Sequence, residues 1–275
     1  MAFNVATKYN EAALERFARG SLTDQIMNGG FDFTSSKSVV LTTNDLGSLT
    51  DYTRSGVNRY GTPTELGNTN QTLTLAKDRS FSYTIDKRGR QEAALTNDAA
   101  KTLARTIDQV IAPEVDTYRL AAVLAGTPSA HIPTPAALTK TNAYASVLSL
   151  NELLDEDHVP QIGRVLCATP AAINFLKQDT AFIKQSELGQ QVAFNGQVGE
   201  VDGVAVVKVP SVLMPTNTAM MLMHKDAIAT PMVLEEYKIH QDPPGISGWL
   251  IEGRFCHDAF VLSTYANALA AWKVA

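Results

Sequence analysis

From Gly29 to Gly89 the chain is rich in Gly, Thr, Asn and Ser and has little periodic apolar content, which restricts its fold more than any other feature. Strand-like runs stand at the two ends of this stretch, SVVLTT at 38–43 and TLTLAKDRSFSYTID at 72–86. Between them, GSLTDYTRSGVNRYGTPTELGNTN has turn chemistry almost throughout. Two strands flanking a long polar connection predict an extended hairpin arm, and such an arm buries too little apolar surface to hold itself together. A connection this long inside a compact domain counts against the assignment unless it is functional. The economical reading is that the arm lies on a neighbouring molecule.

The rest of the chain is more regular. KYNEAALERFARG at 8–20 sets Tyr9, Ala13, Leu14 and Phe17 at helical spacing with Gly20 as a stop, so a short amphipathic helix is expected near the terminus. Over 95–125 Leu95, Ala99, Leu103, Ile107, Val110 and Ile111 recur every three or four positions, with Thr96, Asn97 or Asp98 available as caps. Pro113 removes one amide donor inside this helix and predicts a kink or break near Ala112. The pattern resumes through Val115, Tyr118, Leu120, Val123 and Leu124 and stops at Gly126 and Pro128. Beyond residue 140, a helix at 142–157, the strand IGRVLCAT, the helix PAAINFLKQD opened by Pro170, and the strands GVAVVKVP and AMMLMH read as a compact α/β block. Two long strands, at 227–240 and 247–264, follow and are joined through DPPG. The fold class is α+β.

Composition narrows the function. A chain of 275 residues buries roughly 70 to 75 % of the surface its unfolded form exposes, so it can build a core without covalent staples. Its two cysteines, Cys167 and Cys256, lie far apart and cannot make a disulfide framework. No run approaches the ~18 consecutive apolar residues of a membrane helix, and no secretory signal pattern is present, so no membrane partner is expected. A net charge of -5 argues against a dedicated nucleic-acid-binding domain, which is usually basic.

The candidates for chemistry are weak. CHDA at 256–259 offers Cys256, His257 and Asp258, but in an extended strand Cys256 and Asp258 point one way and His257 the other, so no local thiolate–imidazole pair forms. Asp155, Glu156, Asp157 and His158 have metal-ligand types, yet contiguous acids at a helix end splay around its axis, and a solvated terminus is the simpler reading. Gly196, Gly199 and Gly203 miss the dinucleotide fingerprint and read as turns. Ser247 in GISGW misses the nucleophile-elbow spacing, Cys167 reads as a small buried hydrophobe, and His131, His224 and His240 stand isolated in the sequence. No catalytic, cofactor-binding or metal residues and no cofactor are expected. Arg54, Arg59, Lys77, Arg79, Lys87, Arg88 and Arg90 give the hairpin arm a positive tendency. That charge suits an acidic neighbouring subunit better than DNA phosphates, because no aromatics are regularly interleaved for base stacking.

The order of elements resembles the major capsid proteins of tailed bacteriophages with the Hong Kong 97-type fold. Three stretches carry the likeness: RSFSYTIDKRGRQEA running into TLARTIDQVIAPEVDTYRLAAVL, then GEVDGVAVVKVP, then IEGRFCHDAFVLSTYANALAA. The resemblance implies an N-terminal arm at 1–32, an extended loop at 33–92, a peripheral domain with a long spine helix at 93–138, an α/β axial domain at 139–226, and return strands with a last axial strand at 227–275. It implies a non-enzymatic subunit that assembles as pentamers and hexamers into an icosahedral head shell around double-stranded DNA held by non-specific contact. A separate scaffolding protein, a portal and, optionally, a decoration protein are the further partners it implies, without proteolytic maturation, because the arm begins almost at Met1. The expected location is the virion, with assembly in the host bacterial cytoplasm. Gly30, Gly89 and Pro113 are the candidate hinges that would let one sequence serve both kinds of ring. An encapsulin-like nanocompartment shell protein, which shares the fold and encloses protein cargo, is the alternative.

Overall fold

The computed structural model describes residues 21–24, 26–28, 38–44, 47–63, 65–88, 99–179 and 199–274, leaving aside the side chains of 99–101 and 232–235. The helix expected at 8–20, the caps at 96–98, Gly196 and the positions Gly30, Gly89 and Arg90 lie outside the described residues. In chain order the elements are β1 (Ser38–Asn44), β2 (Asn68–Thr74) and β3 (Lys77–Asp86), then α1 (Ala99–Thr106), a π-helical turn (Ile107–Ile111) and α2 (Ala112–Gly126). Next come α3 (Ala143–Glu156), β4 (Arg164–Ala168), α4 (Pro170–Gln178), β5 (Glu200–Val201), β6 (Val204–Lys208) and β7 (Thr218–His224). Then follow β8 (Ile228–Ala229), β9 (Met232–Gln241), β10 (Gly248–His257), β11 (Phe260–Val261) and β12 (Leu269–Lys273).

The five-stranded sheet runs β12-β7-β4-β6-β5, with β4 and β6 parallel and the other pairs antiparallel. Its side chains alternate between two cores, as the period of two requires. Leu166, Met220, Leu222 and Ala270 face Val147, Leu150 and Leu154 of α3 and Ile173 and Leu176 of α4. Val165, Cys167, Met221, Met223, Leu269 and Ala271 face Leu120 and Val123 of α2. Every residue of β7 is buried, which is why AMMLMH is apolar without alternation. Pro170 opens α4 at its first turn, where Thr169 Oγ1 accepts a hydrogen bond from the Ala172 amide. Asp202 and Gly203, both at positive φ, make the two-residue turn between β5 and β6.

The long strands form a separate antiparallel sheet, β3-β10-β9. Gly253 sits at its centre, paired with Phe81 on one side and Tyr237 on the other. The two rings close over the space a side chain would fill: a Cβ at Gly253 would lie 2.3 Å from Phe81 and 2.7 Å from Tyr237. Ile107, Ile111 and Val115 of the long helix pack with those rings and Phe255.

The helix is continuous where a kink or break near Ala112 is expected from Pro113. Ile111 and Ala112 keep right-handed helical angles, and the Ala112 amide donates to the Ile107 carbonyl, five residues back. Pro113 has no amide for the Gln109 carbonyl, and widening the preceding turn relieves the clash that would otherwise bend the helix. The run 72–86 is likewise two strands rather than one. β2 pairs with β1 as a hairpin and β3 pairs with β10, with the chain turning at Leu75–Ala76 where Asp258 Oδ2 accepts the Ala76 amide at 2.7 Å. Among the described residues no helix is long and apolar enough to cross a membrane.

Candidate functional site

Six of the large apolar side chains most open to solvent in the described chain cluster on the β1–β2 hairpin and its connection, while Ile162 and Val212 stand singly on the body. Leu49, Val57 and Tyr60 are 102 %, 94 % and 85 % exposed, and Val40, Tyr52 and Leu66 are also open to solvent. The connection has its own local order. Thr53 donates from its amide to the Arg59 carbonyl at 3.0 Å, Thr50 Oγ1 donates to the Tyr60 carbonyl at 2.8 Å, and the rings of Tyr52 and Tyr60 meet edge to face at 5.0 Å. Asn58, Gly56 and Gly61 take the left-handed conformations that the tight turns need. Polar contacts thus set the backbone of the tip while its large apolar side chains face outward.

The base of the hairpin, in contrast, is seated on its own chain. Leu73 and Leu75 are buried with Ala229 and Leu262, and Val39, Leu41, Cys256 and Phe260 pack around them. Gln71 bridges to the body, donating from Nε2 to the Val261 carbonyl at 3.0 Å and accepting the Ser263 amide at 2.9 Å. The arm read as unable to support itself therefore has a supported base and an unsupported tip.

The basic residues divide in the same way. Arg79 pairs with Glu114 at 2.7 Å, Lys87 with Asp242 at 2.5 Å, and Lys77 Nζ lies 5.2 Å from the centre of the Tyr118 ring. Arg88 donates from its amide to Asp86 at 2.8 Å. Arg54 and Arg59 stand on the exposed tip, where Arg59 Nε donates to the Gly56 carbonyl at 3.3 Å. The charge at the base is largely matched within the chain, and that of the tip faces outward.

A second constellation, which the sequence reading missed, fastens residues 21–24 and 26–28 to the body. Asp116 on α2 is buried, and its carboxylate accepts from Ser21 Oγ (2.7 Å), Leu22 N (2.9 Å), Thr23 N (3.2 Å) and Thr23 Oγ1 (2.6 Å). One turn further on, Arg119 donates to Thr23 Oγ1 at 2.9 Å and pairs with Asp24. Ile26 and Met27 are buried against α2 and the five-stranded sheet, and the Thr230 amide donates to the Asn28 carbonyl at 2.9 Å. The available signal was SLTD at 21–24, a cluster of capping residue types just after Gly20.

The chemistry candidates are placed in structural contacts. Strand β10 ends at His257, with a bulge between Cys256 and His257. Asp258 lies beyond the strand, so its expected alternation with Cys256 does not apply; it accepts from Tyr118 Oη at 2.7 Å and from the Ala76 and Ala259 amides. Burial and that hydrogen bond push the Tyr118 hydroxyl up to about 12. Cys167 is fully buried, and burial pushes its thiol up to about 12, with the Asp116 charge adding to the effect. The acidic helix end is more engaged than a solvated terminus. Asp155 pairs with buried Arg164 at 2.7 Å, and Asp157 meets His131 Nε2 at 2.8 Å while the other ring nitrogen of His131 lies 2.9 Å from the Leu269 carbonyl. His224 is also partnered, through Nε2 to the Ile162 carbonyl at 2.8 Å, and His240 lies 3.5 Å from Glu252.

No protein-family model matches the chain, and no curated protein matches it. Solved structures do. The structure titled for Mycobacterium phage Che8 superposes with a TM-score of 0.79 at 15 % identity, over 98 % of each chain. The capsid structure of the cyanophage P-SCSP1u gives 0.79 at 16 % identity, over 98 % of this chain and 93 % of that one. The mature capsid of bacteriophage PhiM1 gives 0.72 at 12 % identity, over 100 % and 91 %. The chain therefore has, over essentially its whole length, the α+β fold of these phage structures, two of which are titled as capsids.

Proposed function

We propose that the chain is the major capsid protein of a tailed bacteriophage, a subunit without an active site that assembles with copies of itself into the icosahedral head shell. The observation that carries this reading is the hairpin tip, where Leu49, Val57 and Tyr60 are bare of cover together within one short connection, in a fold shared with phage capsids. Draping the tip over the next subunit removes those side chains from water, and interfaces of this obligate kind bury more than ~2,000 Å². Head-to-tail contacts close into rings when the rotation allows, so pentamers and hexamers follow from one surface at slightly different angles. Pro113, Gly30 and Gly89 are the proposed hinges, and residues 33–92 the loop that reaches the neighbour. Arg54 and Arg59 on the tip supply charge for an acidic patch of the neighbouring subunit. Double-stranded DNA inside the shell meets it by non-specific contact. A scaffolding protein and a portal guide assembly in the host cytoplasm, and the finished location is the virion, with a decoration protein as an optional outer partner. The nanocompartment alternative is not favoured, since the matched structures whose titles name an assembly are phage capsids.

The test is to replace residues 45–67 by Asn-Gly, joining the register partners Asn44 and Asn68 through a two-residue turn. The expected product is a folded subunit with unchanged amide protection in the five-stranded sheet that makes no shells by electron microscopy, with or without a scaffold. Shells of normal size and yield refute the proposal.

A further inference from the structure

The α/β block is electrically polarised along β4. At the end where β4 begins stand Asp155, Glu156 and Asp157 at the close of α3, Asp202 in the β5–β6 turn, and Lys225 and Asp226 just after β7. Asp155 pairs with buried Arg164 and Asp157 with His131, yet both acids stay open to solvent, as do Glu156, Asp202 and Asp226. Acid outweighs base there. At the opposite end stand Lys140 before α3, Lys208 closing β6 and Lys273 closing β12. Asp179, on that side, is buried and accepts the Tyr144 amide at 3.1 Å.

Each end also has a shape. At the acidic end Ile162 is 91 % exposed, on a turn that is held firmly from behind. His224 Nε2 lies 2.8 Å from the Ile162 carbonyl, the Lys225 amide donates to the Gly163 carbonyl at 3.1 Å, and Arg164 donates to the Val159 and Pro160 carbonyls. At the basic end a groove of about 730 Å³ opens between the start of α4 and the β6–β7 connection, lined by Leu138, Pro170, Phe175, Val212, Met214 and Val274. Val212 is 86 % exposed at its rim.

We propose that these two ends meet in the assembly: the Ile162 turn of one copy seats in the Phe175–Met214 groove of the next, with its acidic rim against Lys140, Lys208 and Lys273. The inference rests on the capsid reading and adds a contact separate from the hairpin tip. A lone exposed isoleucine needs no explanation by itself. Here it lies among charges of one sign, and an apolar groove among charges of the other sign lies at the far end of the same sheet. A second copy of the chain is the occupant that matches both, since every copy carries the complement of each end. Because the mating surfaces are different and opposite, the contact is head-to-tail, and its repetition closes a ring when the rotation allows. The pinned turn arrives already shaped, so little conformational freedom is lost on seating. Covering Ile162 and Val212 also shields the surrounding charge pairs from water, which sharpens the choice of partner edge.

Cross-linking reads the contact directly. A benzophenone amino acid placed at position 162 of the full chain, in particles assembled from mixed ¹⁴N and ¹⁵N protein, is expected to give mixed-isotope adducts within residues 169–175 or 211–218. Adducts confined to one chain, or falling on residues 47–63 or the three-stranded sheet of a second copy, overturn the proposal. Charge reversal needs no label. Lys140→Glu with Lys208→Glu leaves both ends acidic, and Glu156→Lys with Asp226→Lys leaves both basic. Each pair is expected to lower the yield of rings in native mass spectrometry by about tenfold or more, with the thermal melt of the subunit unchanged. A 1:1 mixture of the two is expected to regain rings with an even number of subunits and no pentamers, because unlike copies must alternate. Rings at wild-type yield from either variant alone, or pentamers from the mixture, overturn the contact while wild-type shells keep the capsid reading intact. A wild-type chain that stays monomeric overturns both.

Discussion

Asp116→Asn is expected to undock residues 21–28 while leaving the body folded. The carboxylate accepts four hydrogen bonds, and the amide that replaces it turns a donor toward one of the four donors now facing it. One charge-assisted bond is lost outright at about 1.5–3 kcal/mol, and the others weaken to ordinary neutral strength. Relief of the desolvation of a buried carboxylate offsets part of this, leaving a net loss of about 3 kcal/mol. That is enough to matter because the segment is held by a narrow margin. Burial of Ile26 and Met27 contributes about 3–6 kcal/mol, whereas ordering the backbone of residues 21–28 costs about 8 kcal/mol or more. The polar clamp closes that gap, and removing most of it opens the segment. Hydrogen exchange at pH 7.5 reads the outcome: protection of Leu22 and Thr23 falls by about 100-fold, at 1.4 kcal/mol per factor of ten. Unchanged protection at 21–28, or an equal loss in α3 and β7, would falsify the idea that Asp116 is the fastening point.

One further substitution and one reagent probe the body. Gly253→Ala places a methyl group inside the Phe81–Tyr237 pair and is expected to lower the stability measured by urea unfolding by about 1–3 kcal/mol, as overpacking does; a neutral result means the two rings swing aside freely. Cys167, with its thiol pushed up to about 12 and no exposure, is expected to resist iodoacetamide at pH 8 in the native chain while Cys256, which is partly exposed, is alkylated; mass spectrometry of the tryptic peptides decides the order.

The parts of the fold that were legible are those whose cause is local. The alternation of β4 and the unbroken apolar run of β7 follow from sheets buried on one or both faces, and Pro170 after Thr169 marks the start of α4 by its own chemistry. The hairpin was legible as well, because its turn-rich connection has no competing helical or strand pattern. What stayed hidden depends on distant partners. Asp116 and Arg119 read as polar positions on a helix, yet both are buried, because their partners lie more than ninety residues earlier in a segment with no periodic signal. The break between β2 and β3 is set by Asp258, which is 182 residues away, while the local residues TLTLAKDRSFSYTID favour one strand throughout. Arg79 and Lys87 read as exposed charge for the same reason, since Glu114 and Asp242 reach them only through the tertiary fold.

The long helix is where these distant contacts converge. At its N-terminal part Thr106 shares a hydrogen bond with Tyr83 at 3.2 Å and Ile107 packs on the three-stranded sheet; at its C-terminal part Leu120 and Val123 enter the core of the five-stranded sheet and Asp116 and Arg119 hold residues 21–28. Inserting or removing one residue in an α-helix rotates one half against the other by about 100°. The π-helical turn at Ile107–Ile111 is such an insertion, and without it Thr106 and Ile107 would face away from Tyr83 and Phe255. Pro113 keeps the insertion in place by withholding the amide that an α-helical turn would need at the Gln109 carbonyl. A hinge at Pro113 would then act by changing helical register rather than by bending. Because the hairpin is carried through Leu75 into β3, such a change would swing the exposed tip relative to the five-stranded sheet, which is the freedom that packing one sequence into rings of different size requires.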